Sequence, residues 1–356
     1  MLPYFVLIAA PSLLFLVSRT SERLTIEKKN KATIWSFFII LLLLLMLRSD
    51  TVGIDVRSYL SDFRKMCDTE FDRIFEKFDY YEFGFVLLLK FSTMLSTSGQ
   101  IFLIIVALLS VLPLAKLYSS SEDALLTISI FIIVPNFTMI FSGLRQVIAL
   151  AFVAIGYKFV KEKKLLLYVI TVFIAFLFHQ SALIALILYP VYHMNITKIK
   201  MLFISPIFVI CLLYNERIFE FLLSFSGKYE EIYEYEQTGA GTMIVLFALF
   251  LVFSYLVPQK EKLDRETIGL RNILVVATFL QTFALSNNVA MRMNLYFIMF
   301  IPLLIPRVIS RSSENNSKVY KFIEFIMVTF FIVYYFYNAF SDVDPLWLYP
   351  YIALWE

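Results

Sequence analysis

The sequence predicts an all-α polytopic membrane protein of about twelve transmembrane helices, with an interfacial or re-entrant outer segment at about 48–97. Three observations carry this expectation. First, 60% of the 356 residues are hydrophobic and only 17% are charged, with a mean hydropathy of +0.79. A soluble domain runs near 45–50% apolar and about 25% charged, so this chain has too little polar surface to cover a water-soluble particle. Disorder is excluded by the same abundance of aliphatic and aromatic residues. Second, apolar runs able to cross about 30 Å of hydrocarbon recur along the chain. Third, the bases concentrate in a few short connections, the pattern that sets orientation in a bilayer. A net charge of only +3 argues against a nucleic-acid partner.

The elements follow in order. Leu2–Val17 is apolar but lacks a basic leader and a small-residue cleavage site, so 2–18 is read as the first membrane helix rather than a signal peptide. Further spans are expected at 33–47, 100–117, 124–140, 142–158, 165–179, 181–192, 201–214, 241–257, 270–286, 291–306 and 319–338. Segment 19–32 carries Arg19, Arg23, Lys28, Lys29 and Lys31 against Glu22 and Glu27. Segment 158–164 carries Lys158, Lys161, Lys163 and Lys164 against Glu162. Lys198 with Lys200, and Arg307, Arg311, Lys318 and Lys321 against Glu314, mark two more basic connections. These belong in the cytoplasm. Segment 48–82 has six bases against nine acids, 214–238 has two against six, and 339–356 has acids only; these belong outside.

The apolar stretch 82–97 decides the arrangement. As a full crossing it would put 48–82 and 158–164 on one side, against their charges. Carrying Lys90 and broken by Gly84, it is expected instead to be interfacial or re-entrant, which leaves both termini outside. Within 48–82, Tyr59, Phe63 and Met66, then Phe71, Ile74, Phe75 and Phe78, recur at i, i+3, i+4 spacing among charges. That is the pattern of amphipathic helices in the headgroup plane. No internal repeat or soluble domain interrupts the chain, so residues 1–356 are expected to form one polytopic domain with outer loop 214–238.

Two cysteines in unlike settings (Cys67 and Cys211) do not make a disulfide framework, and two histidines do not suggest zinc; no metal or cofactor is expected. Of the 31 bases, Lys90, Arg145 and Arg292 fall in or at the rim of apolar segments; of the 28 acids, Glu324 alone does, near enough to the cytoplasmic end to snorkel. A cation in lipid costs at least about 2.5–3.5 kcal/mol, so such residues are functional candidates. Arg145 lies in Phe141-Ser142-Gly143-Leu144-Arg145-Gln146, at an outer helix start after Pro135-Asn136. There Ser142 could cap the helix, Gly143 could let a ligand reach the backbone, and the helix dipole would add to the guanidinium to favour an anion. Arg292 near Asn287, Asn288 and Asn294, and Arg48 at a span end, are expected on the same face. The plainer reading of all three is interfacial snorkelling.

Phe178-His179-Gln180-Ser181 forms an outer corner, where His179 reads either as a hydrogen-bonded structural residue or as a proton-transfer or phosphate-contacting group. Asp50 and Asp55, in the segment that leaves the membrane at Arg48, read either as turn residues or as a carboxylate base or sugar-hydroxyl acceptor. Trp347, Tyr349, Tyr351 and Trp355 are expected as interfacial anchors. Arginines, helix starts and a carboxylate on one face suit a phosphate or pyrophosphate carrying a sugar.

Four motifs in order now resemble the EpsG-like branch of the Wzy polysaccharide polymerases: Thr51-Val52-Gly53-Ile54-Asp55 with Tyr59, Glu82-Phe83-Gly84-Phe85, Phe141 to Gln146, and Phe178 to Ile184. The resemblance runs from about residue 33 to about 200, and Phe83 stands where the family pattern has proline. It implies a glycosyltransferase of the bacterial cytoplasmic membrane that polymerises undecaprenyl-pyrophosphate-linked oligosaccharide repeat units at the outer leaflet, in the periplasm or at the cell exterior. The growing chain is the donor, its lipid pyrophosphate leaves, and a hydroxyl of the next unit attacks. Asp55, Arg145 and His179 are then the expected catalytic residues: Arg145 on pyrophosphate, Asp55 as base or acceptor-orienting carboxylate, and His179 on phosphate or sugar. Arg48, Asp50, Thr51, Tyr59, Ser142, Gly143, Gln146, Gln180, Ser181 and Arg292 are expected to bind substrate. Partners beyond the lipid-linked oligosaccharide would be membrane lipid and a chain-length regulator. The main alternative is a flippase of lipid-linked oligosaccharide, which would be expected to show pseudo-repeats and midplane charges. A membrane acyltransferase would favour a His deep in the bundle, and a chain-length regulator itself would need an outer coiled coil.

Overall fold

Polar side chains set where the chain enters its apolar runs. Thr25, Ser98, Asp123, Thr197, Asp264 and Asn287 each accept a backbone N–H from the first turn of a helix. A computed structural model describes residues 1–20, 23–224, 240–257, 263–312, 317–340 and 346–356. Among these the secondary structure is helical, with an isolated antiparallel bridge between Arg48 and Ala353. Residues 225–238 of the expected outer loop, Glu22, Glu314 and residues 341–345 of the tail lie outside the described residues. The chain divides into two compact units, Met1–Leu183 with Ile323–Glu356, and Ile184–Phe322.

In the first unit, α1 (Leu2–Arg19) packs on α2 (Ile26–Leu47). Segment 48–97 then forms α3 (Val56–Cys67), a short 3-10 turn, α4 (Ile74–Lys77) and α5 (Phe83–Leu95). Next come α6 (Gly99–Tyr118), α7 (Ala124–Ile133), α8 (Pro135–Ser142), α9 (Leu144–Lys161) and α10 (Leu165–Phe176). Helix α6 lies between α2 and α9, and α9 packs along α10. Residues 323–340 join this unit, with Tyr335 edge-on to Phe137 at 5.7 Å between ring centroids.

The second unit is built on one central helix, Arg265–Phe283. After a 3-10 stretch at Gln180–Ile187 come α11 (Leu188–His193), α12 (Lys198–Leu213), α13 (Asn215–Ser224), α14 (Ala240–Leu256), α15 (Arg265–Phe283), α16 (Asn288–Ile298) and α17 (Ile301–Ser310). All six of its companions contact α15, which is buried on nearly every face, polar Asn272, Thr278 and Gln281 included. Arg307 and Arg311, expected as a basic connection, are held by Asp264 at 2.5 and 3.1 Å. The final helix, α18 (Ser317–Phe340), leads back into the first unit.

Helix lengths leave the count of about twelve crossings unconfirmed. Five helices among the described residues are long and apolar enough to cross a membrane, or seven if each of two bent pairs is one span. The reasons are local. Pro135 separates α7 from α8 with a 64° bend, because its ring cannot continue the preceding turn. The expected span at 201–214 meets α13 at 88°. Helix α10 stops after 12 residues, about 18 Å, and 181–192 begins as 3-10 helix. The multi-pass membrane character stands.

The outer segment is corrected. Tyr59, Phe63, Met66, Ile74 and Phe78 are buried with Phe85, Leu89 and Phe102, so their apolar face is covered by α5 and α6 and not by headgroups. Phe71 and Phe75 remain exposed. Gly84 does not break α5, which runs through it for 13 residues; at about 20 Å that helix is too short to span alone. Lys90 donates to the carbonyl of Thr69 at 2.6 Å and so ties α5 to the end of α3.

Candidate functional site

The site is assembled on the turn that follows α2. Arg48 is only 2% exposed, and its Nη1 donates to the carbonyl of Phe141 at 2.5 Å. Burial pushes its guanidinium down to about 10, so it stays charged at neutral pH. Gly53 comes next at φ +101°, and a Cβ there would lie 2.1 Å from the same Phe141 carbonyl oxygen. Only glycine accepts both the left-handed backbone and that approach. The C-terminal tail pairs with this turn: Ser49 N–H donates to Ile352 at 2.9 Å, Gly53 to Trp347 at 3.0 Å and Ile54 to Leu346 at 3.0 Å. Tyr349 packs on Tyr4 and Tyr351 donates to the Leu44 carbonyl, whereas Trp347 and Trp355 are exposed. Two of the four expected anchors are thus packed into protein.

The break between α8 and α9 differs in detail from the expected anion cradle. Ser142 is fully buried, and its hydroxyl donates to Asp55 Oδ2 at 2.9 Å. That contact joins the first turn of the outer segment to α9, but it leaves α9 without a side-chain cap, so Ser142 is not its cap. The space beside Gly143 is filled: a Cβ there would meet Met139 Sδ at 2.4 Å, so that glycine offers a ligand no open approach. The first-turn N–H groups of α9, lacking a side-chain cap, remain its anion-favouring feature.

Arg145, one residue into α9, is engaged rather than free. Its Nη1 donates to Glu82 Oε2 at 2.7 Å, its Nε to the Tyr59 hydroxyl at 3.5 Å, and its guanidinium stacks on Tyr81 at 5.0 Å. The other oxygen of Glu82 accepts from His179 Nδ1 at 3.2 Å and from the Gln180 N–H at 3.1 Å. One carboxylate therefore spans a cation on α9 and an imidazole at the corner after α10. Burial pushes the Glu82 carboxyl up, but hydrogen bonding from His179 and the Arg145 charge outweigh it and hold the group down at about 2. Tyr81, under Arg145, donates to Asp62 at 2.8 Å, and Lys65 pairs with the same carboxylate at 2.8 Å. The backbone is stapled as well. Gly84 N–H donates to the Leu177 carbonyl at 2.7 Å, and a Cβ at Gly84 would meet that oxygen at 2.8 Å.

Of the sequence candidates, Asp55, Tyr59, Ser142, Gly143, Arg145, His179 and Gln180 thus lie in one connected set of contacts, with Arg48 bracing it from below. Asp50 pairs loosely with exposed Arg57 at 3.9 Å, and Thr51 hydrogen-bonds Ser49. Gln146 is buried on α9, and Ser181 is half-buried at the corner. Arg292 belongs to the second unit, exposed on α16. Two residues were missed by charge counting. Glu82 closes an acidic segment and so looked like one more loop acid, although its Glu-x-Gly motif was in view. Arg271, 5% exposed on α15, donates to the Ser254 carbonyl and stacks on Tyr255; its position inside the run 270–286 was the available signal.

A family model described as the EpsG family matches residues 31–352. No curated protein and no solved structure matches the chain.

Proposed function

The chain belongs to the EpsG family, Wzy-like polysaccharide polymerase-related membrane proteins, and from that premise we propose that it is a polysaccharide polymerase. It is a membrane glycosyltransferase of the bacterial cytoplasmic membrane that joins undecaprenyl-pyrophosphate-linked oligosaccharide units at the outer leaflet. The hydroxyl of an incoming unit attacks the anomeric carbon of the growing chain. The carbon–oxygen bond to the lipid pyrophosphate breaks, and the pyrophosphate leaves with the electron pair. This chemistry needs a proton acceptor for the hydroxyl and oriented donors for the departing anion.

The observation that carries the reading is the Arg145–Glu82–His179 linkage beside Asp55. Pairing with Glu82 cancels part of the Arg145 charge, so the guanidinium acts through oriented donors rather than as a loose cation. Among the described residues its Nη2 has no hydrogen-bond partner, which leaves one arm of the fork for a phosphate oxygen. Asp55 has one oxygen occupied by Ser142 and the other available to orient the acceptor hydroxyl. The acidic bias of 48–82 against the basic 158–164 supports an outward-facing site. Catalysis needs no resident cofactor in this reading.

The test is incubation of the purified protein with a lipid-linked repeat unit. A ladder of products on lipid pyrophosphate is expected. A folded protein that gives no ladder, yet moves the same lipid across vesicle bilayers, would overturn the polymerase in favour of a flippase.

A further inference from the structure

We propose that Glu82 is a positioning residue that fixes His179 as the proton acceptor and Arg145 as the hydrogen-bond donor to the departing anion at the same time. The proposal rests on the glycosyl-transfer reading above and deepens it by assigning the base. A carboxylate held ionised can only accept hydrogen bonds, so the ring nitrogen facing it must carry the proton. His179 Nδ1 at 3.2 Å from Oε1 is therefore the N–H nitrogen, and in the neutral ring that leaves the Nε2 lone pair to take a proton. Among the described residues Nε2 has no protein hydrogen-bond partner, and the His179 side chain is 15% exposed. Asp55 is the less suitable base, because its Oδ2 already accepts the Ser142 hydroxyl and nothing comparable among the described residues orients its second oxygen.

The ring is held by more than one contact. The Gln180 N–H donates to the same Oε1 at 3.1 Å, and Gly84 N–H holds the Leu177 carbonyl at 2.7 Å. The start of α5 and the corner carrying His179 therefore move as one piece. On the other side, Oε2 takes Arg145 Nη1 at 2.7 Å, with the Glu82 side chain only 8% exposed. In the step itself, the acceptor hydroxyl gives its proton to Nε2 as its oxygen bonds to the anomeric carbon. The lipid pyrophosphate departs toward Arg145 with the electrons of the broken bond. The imidazolium that forms is matched by the Glu82 carboxylate, which does not take up the proton.

The experiment uses the full chain labelled with 15N-histidine. Only His179 and His193 contribute signals, and a His193→Gln variant assigns them. The wild-type ring of His179 should show the Nδ1-protonated pattern. Glu82→Gln should shift it toward the commoner Nε2-protonated form. In the polymerisation assay, Glu82→Gln should lower kcat by about 10²–10³-fold, within the range that general base catalysis contributes, with KM nearly unchanged. An unchanged 15N pattern, or a normal kcat, in folded Glu82→Gln overturns the proposal. If that variant does not fold, Glu82→Gln combined with Arg145→Met avoids the stranded guanidinium, and the nitrogen pattern is read in that background. Failure of the wild type to polymerise would instead sink the parent reading, and the nitrogen shifts would still decide whether Glu82 fixes the ring.

Discussion

Arg48 Nη1 donates to the Phe141 carbonyl at 2.5 Å, across 93 residues of chain, so the end of α2 holds the break from which α9 and Arg145 start. A cation this deeply buried is tolerated because it satisfies a carbonyl freed by that break. Arg48→Met removes the donor and leaves a buried acceptor unpaired. We expect a loss of about 1–3 kcal/mol in stability, read from denaturant unfolding in detergent. An unchanged midpoint would mean that Phe141 does not depend on Arg48.

The motifs that build this region were legible one at a time. Thr51 to Asp55, Phe141 to Gln146 and Phe178 to Ser181 stood out because each sets a helix start or a corner between apolar runs. Their mutual pairing was not legible: the Glu82–Arg145 and Glu82–His179 contacts join positions 63 and 97 residues apart, and no local pattern encodes such a distance. The apolar face of α3 was read correctly as a face, but periodicity is silent on whether lipid or protein covers it. The number of crossings was not legible for a similar reason. Hydropathy marks apolar runs, whereas Pro135 and the 3-10 stretch after Phe178 decide whether a run becomes a straight helix.

Gly53 supplies a second test of the same brace. Its φ of +101° and the 2.1 Å approach to the Phe141 oxygen leave no place for a methyl group. Gly53→Ala should cost at least about 1–3 kcal/mol from backbone strain alone, and the clash should displace the turn that carries Asp55. Lower unfolding midpoints with reduced polymer yield are expected; a variant as stable as wild type would refute the close approach.

The acid stability of the chain should depend on Glu82. Its folded carboxyl titrates at about 2, against an ordinary 4.5, so the unfolded chain binds the proton more readily. The stabilisation is therefore complete above pH 4.5 and is lost as the pH falls from there toward 2. Glu82→Gln should show a shallower loss of stability across that window. Asp264, also held down at about 2, remains in the variant, so some slope should persist. Superimposable pH profiles for the two proteins would contradict the ion pair.

Sidedness can be read with single cysteines in a background carrying Cys67→Ser and Cys211→Ser. Arg64 and Lys161 are both exposed, one in the acidic outer segment and one in the basic connection after α9. An impermeant maleimide should label Arg64→Cys in intact cells, and Lys161→Cys only after permeabilisation. The opposite pattern would reverse the orientation and move the Arg145 site to the cytoplasmic face.

The last prediction separates what Arg145 does for the fold from what it does for the reaction. Removing it alone strands the Glu82 carboxylate in a site where its side chain is 8% exposed. Breaking a buried pair in this way typically costs about 3–5 kcal/mol; Arg145 is itself 24% exposed, so the lower end is expected for Arg145→Met. Adding Glu82→Gln removes the stranded charge, and the double variant should recover most of that stability. Activity should not follow. With no guanidinium to meet the leaving pyrophosphate, turnover should stay about 10²–10³-fold down, the scale on which one oriented donor acts. Arg145→Lys sits between these cases: it keeps a positive charge near Glu82 but loses the planar fork that can serve Glu82 and a phosphate together, so it should fold well and turn over poorly. Unfolding midpoints and polymer ladders for the three variants check this. A double variant that regains both stability and turnover would show that Arg145 serves only to neutralise Glu82.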